Sequence, residues 1–257
     1  MAVVKPKISI ITPTYNSERY IQETVTSVQQ QTEENWEMII VDDCSTDNSV
    51  AIVEEIATKD SRVKCYVLER NQGAARARNK GLEVAQGRFI TYLDSDDLWL
   101  TNKLKHQVDF MERQGCAFSC TSYGVIDEFG KLLNKEIYML PKVNYKGFLM
   151  NNLLQTVGIM VDISIVDKKH LVMPDMRRRQ DAATWLHILK AGYDCYGIDE
   201  VLALYRRTPG SLSGDKKKAV KGMWVLYREV EGLSLWFSAY CFLRYAMLAV
   251  WKRIHRR

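Results

Sequence analysis

No CxxC pair occurs among the six cysteines, Cys44, Cys65, Cys116, Cys120, Cys195 and Cys241. Most lie in apolar strand-like or helix-like runs, so buried free thiols are expected instead of a thiolate metal site or a redox couple. Met1 to Ile11 lacks the long apolar stretch of a secretion signal. These two absences point to a reducing cytosol. No segment repeats at solenoid periods. With 47% apolar and 26% charged residues, fibrous and disordered classes are excluded. After the first apolar run, residues 12–17 (TPTYNS) hold neither GxGxxG nor a glycine-rich loop with a lysine. A dinucleotide-dependent dehydrogenase and a nucleotidyltransferase cradling a triphosphate are thereby disfavoured.

At 257 residues the chain holds one large α/β domain plus an appendage. The net charge of +5 is unevenly placed. Residues 215–257 carry ten lysines and arginines against Asp215, Glu229 and Glu231, so the tail is strongly basic and residues 1–214 slightly acidic. Such a tail suits an anionic lipid surface. Nucleic acid is poorly suited, because the basic residues are interleaved with aliphatic ones.

Short β-branched runs at 7–12, 36–41, 62–68 and 88–93 read as buried strands. Helical spacing at 18–30, about 47–58 and 74–85 separates them. Alternating strands and helices give a mostly parallel sheet covered by helices. In such sheets ligands bind beyond the carboxyl ends of the strands. Those ends carry the polar residues: Thr14-Tyr15-Asn16, Asp42-Asp43, Asn71, and Asp94 to Asp97. Four strand ends are thus expected to converge on one crevice. Beyond residue 115 the alternation breaks. Strands are expected within 116–138, at 157–162 and at 193–206, with helices at 145–152, at 181–191 and from Asp215 onward.

An Asp94-x-Asp96 pair at a strand end suits a hard divalent cation, Mn²⁺ or Mg²⁺, that shares the oxygens of a diphosphate. The same Asp-Ser-Asp-Asp run would also serve to start a helix. Asp97 would bind the cation directly or hold a neighbour. Asp42-Asp43 reads either as a turn or as a carboxylate accepting from a nucleoside, and Tyr15 as an aromatic on which a base stacks.

At these residues the chain resembles glycosyltransferase family 2. The marks are Ile11-Thr12-Pro13-Thr14-Tyr15-Asn16, Val41-Asp42-Asp43-Cys44-Ser45-Thr46-Asp47, Asn71-Gln72-Gly73 with Ala77-Arg78-Asn79, and Leu93-Asp94-Ser95-Asp96-Asp97. They keep consistent spacing over residues 7–115, and a weaker match continues to about residue 212. Within the family the chain is similar to the teichuronic acid biosynthesis glycosyltransferases of Gram-positive bacteria, through Trp36-Glu37-Met38-Ile39-Ile40, Gln180 to Leu186 and Val225 to Glu229. The resemblance implies a GT-A fold, a Rossmann-like nucleotide-diphospho-sugar transferase. A catalytic domain would span 1–214, with a nucleotide-sugar half at 1–115 and an acceptor half at 116–214. It implies an inverting transfer from a nucleoside-diphosphate sugar, with uridine as the base, to a saccharide acceptor linked to a polyprenyl lipid. Pro13, Tyr15, Asn16, Asp43, Arg78, Asp94 and Ser95 would line the nucleotide, Asp96 and Asp94 would hold the metal, and Asp181 would be the general base. A catalytically inactive member serving as a membrane-associated assembly partner is the alternative.

A carboxylate within hydrogen-bond reach of an acceptor hydroxyl suffices as base, and a position at the start of a helix favours its ionised form. Asp181 would otherwise merely cap that helix. Relatives often carry a second acid where Gln180 stands. Arg177-Arg178-Arg179 suits a phosphorylated acceptor or a solvated charge run. Arg179 and Trp185 are placed at the acceptor, and Arg206 and Arg207 at the diphosphate, in a stretch resembling the family's loop over that group. Residues 233–251 carry Arg244 as their one charge. The stretch is expected to lie in a membrane interface as an amphipathic helix at the inner face of the cell membrane, to pack on the domain or on a second copy of the chain, or to span the bilayer.

Overall fold

The computed structural model describes residues 5–151, 153–176, 178–208 and 216–254, with the backbone course alone for 216–219 and 249–254. Arg177 and the 209–211 segment of the expected diphosphate loop lie outside the described residues.

The first half alternates as its periodicity requires: β1 (Ile8–Thr14), α1 (Ile21–Gln29), β2 (Trp36–Asp42), α2 (Ser49–Lys59), β3 (Val63–Val67), α3 (Ala74–Val84) and β4 (Phe89–Tyr92). Every residue of β1, β2 and β4 is buried, as befits strands covered on both faces. β1 pairs in parallel with β2 from Ile8↔Trp36 to Thr14↔Asp42, and with β4 from Ile8↔Phe89. The carboxyl ends therefore finish together. β1 runs through Pro13, where the sequence pattern predicts its end. α3 lies close on β1: a Cβ added at Gly81 would stand 2.6 Å from Ile11 Cγ2.

The second half adds β5 (Leu98–Trp99), α4 (Lys103–Gln114), β6 (Phe118–Ile126), β7 (Leu132–Ile137), β8 (Lys142–Val143), α5 (Tyr145–Met150), β9 (Ile159–Asp162), α6 (Gln180–Lys190) and β10 (Cys195–Arg206). β5 and α4 escape the sequence pattern. α4 buries Leu104, Val108 and Met111 together with Lys103 and Gln107, and the two polar residues blur its period. One sheet runs β3-β2-β1-β4-β9-β6-β10-β5, with β7 on β6 and β8 on β10. β9 is antiparallel to both β4 and β6, so β6 and its parallel partner β10 point the same way as β4.

The chain closes with α7 (Lys216–Val225), a π-helical turn at Leu226–Val230, and α8 (Leu235–Ile254). This tail is built into the 116–214 half. Tyr227, buried, donates its hydroxyl proton to the Leu149 carbonyl. Glu231, also buried, accepts from the Tyr145 hydroxyl at 2.6 Å and from Lys190 Nζ at 3.2 Å. Among the described residues no helix is long and apolar enough to cross a membrane.

Candidate active site

Short polar contacts lock the four strand ends together. Asn16, after β1, accepts from the Thr46 amide at 2.8 Å, and the Asn16 amide donates to Ser45 Oγ at 2.9 Å. Asp42 accepts from the Ser45 amide and hydroxyl. Asp43 reaches the third strand's loop, where Oδ1 accepts from the Gln72 amide at 2.6 Å and Oδ2 from the Gly73 amide at 2.7 Å. The hydroxyls of Ser17 and Ser95 meet at 2.7 Å, joining the first loop to the fourth. Asn16, Cys44 and Arg179 all hold a positive φ, at 49°, 65° and 63°. Left-handed backbone at non-glycine residues costs energy and collects at functional sites.

α3 joins the two sides of the cleft. Its N-cap, Gly73, is held by Asp43. Beyond the first turn Arg78 is buried, and its guanidinium donates to Asp94 Oδ1. Burial by itself would discourage the charge on Arg78. The Asp94 carboxylate, their hydrogen bond and the field of Asp181 outweigh it and raise the Arg78 pKa. Asp94 thus pairs with Arg78, Asp181 acts on Arg78 through its field, and Asp43 holds the start of the helix that carries Arg78.

Asp96 lies on the turn after Asp94. Burial, and then the Asp94 charge, push its carboxyl up to about 6, against the smaller pull of its own amide and Arg206. A divalent cation would relieve both effects. Among the described residues no group of three or more His, Cys, Asp or Glu forms a cage. Asp94 and Asp96 together are oxygen donors of the kind a hard cation takes when phosphate oxygens and water complete its shell. Asp97, beside it, is buried and faces away from a ligand role: its Oδ1 accepts from the Arg206 amide at 2.8 Å.

Asp181 lies in the first turn of α6. The N-cap is Arg179, with no side-chain capping hydrogen bond, so the capping alternative for Asp181 is not what the chain adopts. Its Oδ2 accepts from the Thr156 hydroxyl at 3.5 Å. Nothing in the sequence marks Thr156, which lies 25 positions away in a segment without a motif.

Several expected ligand contacts are otherwise engaged. Trp185 has no solvent exposure and packs against Tyr92 and Phe118, with ring centroids 5.7 and 6.0 Å away. It is core, because α6 turns its 182–186 stretch inward. The Arg206 guanidinium is buried, donating to the Asp96 carbonyl at 2.6 Å and to Glu23 at 2.6 Å. It braces the acidic turn and does not face a diphosphate; the neighbouring Arg207 is exposed. Arg179 leans on the tail: a Cβ added at Gly222 would stand 3.5 Å from Arg179 Cγ. The Asn16 and Ser95 side chains are taken up in tying loops, and Pro13 is buried in β1. Tyr15, half exposed, remains open to a ligand.

The sequence profile described as Glycosyl transferase family 2 matches residues 9–165. The chain is 45% identical over 250 residues to the "Putative teichuronic acid biosynthesis glycosyltransferase TuaG" of Bacillus subtilis, covering 97% of this chain and 98% of that one. It is 36% identical over 219 residues to the UDP-Glc:alpha-D-GlcNAc-diphosphoundecaprenol beta-1,3-glucosyltransferase WfgD of Escherichia coli, covering 84% and 83% of the two chains. Among solved structures, S. aureus TarS 1-349 in complex with UDP-GlcNAc superposes with a TM-score of 0.69 at 21% identity, covering 92% of this chain and 70% of that one. The mannosyltransferase PcManGT of Pyrobaculum calidifontis, in complex with GDP-Man and Mn2+, gives 0.64 at 18% identity, covering 88% and 63%. The fold is GT-A-like, and the chain belongs to glycosyltransferase family 2.

Proposed function

We propose that this protein transfers a sugar from a UDP-sugar to a hydroxyl of a lipid-linked polysaccharide precursor, with inversion, in one displacement. The observation that supports the reading is α3, which Asp43 holds at its start and which carries Arg78, paired with Asp94 and within the field of Asp181. The UDP in the name of WfgD and the UDP-GlcNAc in the TarS complex support the donor class. The diphosphoundecaprenol in the name of WfgD supports the acceptor class.

In this reading Tyr15 stacks on the base and the 42–46 loop shapes its pocket. Asp96, with Asp94, would hold Mn²⁺ or Mg²⁺, which would supply Lewis-acid stabilisation to the departing diphosphate. Arg78 compensates one of the two clustered carboxylates, so the pair carries less excess charge before the cation binds. Asp181, oriented by Thr156, accepts the proton of the attacking acceptor hydroxyl. The fold works at the inner face of the membrane that holds the lipid carrier. The alternative of an inactive assembly partner is disfavoured because Asp96 and Asp181 are both present at the cleft.

The test is thermal unfolding in the presence of UDP- and GDP-sugars, each with and without Mn²⁺. A ligand at one hundred times its Kd stabilises by about 2.7 kcal/mol. A UDP-sugar that raises Tm only when the cation is present supports the reading. A panel in which no nucleotide sugar moves Tm overturns it.

A further inference from the structure

α8 is amphipathic in an unexpected sense. Its one serine faces the protein: Ser238 is buried, and its hydroxyl donates to the Ser234 carbonyl at 2.8 Å. Cys241 is buried beside it, and Phe237, Phe242 and Tyr245 pack on the core. The opposite face is apolar and open. Trp236 is 84% exposed, Leu243 59%, Tyr240 50% and Met247 49%. At about 100° per residue these four fall within about 60° of one another, and Arg244 flanks them. Trp224 of α7, partly exposed, packs edge-on against Phe242 at the margin, with centroids 6.4 Å apart. A contiguous exposed apolar stripe on a soluble-type fold marks an interaction surface.

Charge identifies the occupant. From Gly232 to Arg257 the chain has no aspartate or glutamate, while Arg244, Lys252, Arg253, Arg256 and Arg257 are cationic. A second copy docking through this face would bring these cations together with no carboxylate in the segment to pair them. A bilayer span is disfavoured by Arg244 near the middle of the helix and by the inward face already committed to the domain. The geometry points to the outward face of α8, Trp236, Tyr240, Leu243 and Met247 beside Arg244, as the surface that seats the protein on an anionic lipid bilayer. Aromatic and aliphatic side chains enter the headgroup boundary while basic ones meet anionic headgroups. The inner face of α8 packs on α5, and Glu231 at the tail's bend accepts from Lys190 of α6, the helix that begins beside Asp181. The seat therefore holds the acceptor half against the membrane. The inference rests on the reading of a lipid-linked acceptor.

The test is flotation of the full chain with vesicles of equal parts phosphatidylcholine and phosphatidylglycerol, and with phosphatidylcholine alone. The unaltered chain is expected to float with the anionic vesicles and at least about tenfold less with the neutral ones. W236E and L243E are expected to lose at least about tenfold in anionic vesicle binding, while keeping the unaltered Tm and its shift with nucleotide sugar. No flotation, or equal flotation of W236E, overturns the inference. So does a dimer in light scattering that W236E dissolves while vesicles bind neither form. Loss of the nucleotide-sugar Tm shift in the unaltered chain would instead strike the transferase reading and leave the flotation result standing.

Discussion

Arg206 donates from Nε to the backbone carbonyl of Asp96 at 2.6 Å, across 110 positions of sequence. The same guanidinium pairs with Glu23 at 2.6 Å, and the Arg206 amide holds Asp97. One buried arginine thereby fixes the acidic turn from beneath. Replacing it leaves Glu23 and the Asp96 carbonyl short of a donor. R206A is expected to lower unfolding stability by about 3 kcal/mol and to weaken cation-dependent donor binding. R207A, altering an exposed neighbour, is expected to stay within about 0.5 kcal/mol. Urea unfolding of the two variants side by side checks the contrast.

Asp181→Asn removes the proton acceptor and keeps the volume. It is expected to leave the donor-induced Tm shift intact while lowering transfer by about 10²–10⁴-fold. Full transfer by this variant would refute the base assignment. T156V, which removes the hydroxyl on Asp181, should reduce kcat with little change in donor Kd, read by initial rates and titration calorimetry.

Asp96, raised to about 6 by burial and by Asp94, gives a signed pH dependence. Its folded pKa lies above its unfolded value, so its stabilising contribution is fully present below about pH 4 and is lost as pH rises through about 6. Asp97, raised by burial and by its acidic neighbours, acts in the same direction. Cation binding needs the ionised carboxylate, so the Tm gain from Mn²⁺ with nucleotide sugar should be larger at pH 7 than at pH 5. D96N should abolish the gain at both. A gain that does not change with pH would contradict the assignment.

Lys103 is fully buried, and its Nζ donates to Thr91 Oγ1 at 2.9 Å. It stands 3.7 Å from the Trp99 ring centroid, a placement that favours a cation, while burial drives its pKa well below the usual lysine value. Burial prevails, because no carboxylate pairs with it among the described contacts. The unfolded chain then binds a proton that the folded chain does not, and stability rises as pH climbs toward the unfolded lysine value. K103M is expected to stabilise the protein at pH 7 by about 1–3 kcal/mol and to flatten this rise. Chemical unfolding at pH 7 and pH 9 reads both effects.

Removing residues 216–257 should destabilise the fold and not merely free it from lipid. Tyr227, Glu231 and Cys241 are buried, so truncation exposes their apolar partners and leaves the Leu149 carbonyl without its donor. Y227F isolates one contact and should cost about 1–3 kcal/mol. A truncated chain with unchanged Tm would show that the tail is dispensable to the fold.

The alternation of β-branched runs with helical spacing was enough to assign the parallel half and to put Asp43, Asp94 and Asp96 at strand ends. Local period dictates which way successive side chains point, and parallel pairing then brings those ends to one edge. Tertiary structure decided what each polar group touches. Three arginines beside Asp181 look alike in sequence, as do Arg206 and Arg207. Arg178 and Arg179 both lie against Gly222 of α7, and enclosure beneath Asp96 distinguishes Arg206. Trp185 beside a candidate base reads as a ligand contact until the turn of α6 directs it into the core. Thr156 and β5 left no trace in the pattern, because their positions depend on contacts far along the chain, and the period of α4 is blurred by its buried Lys103 and Gln107. Ser238 of α8 faces inward for the same reason: amphipathic spacing defines two faces, and only packing against the domain determines which of them is left to solvent.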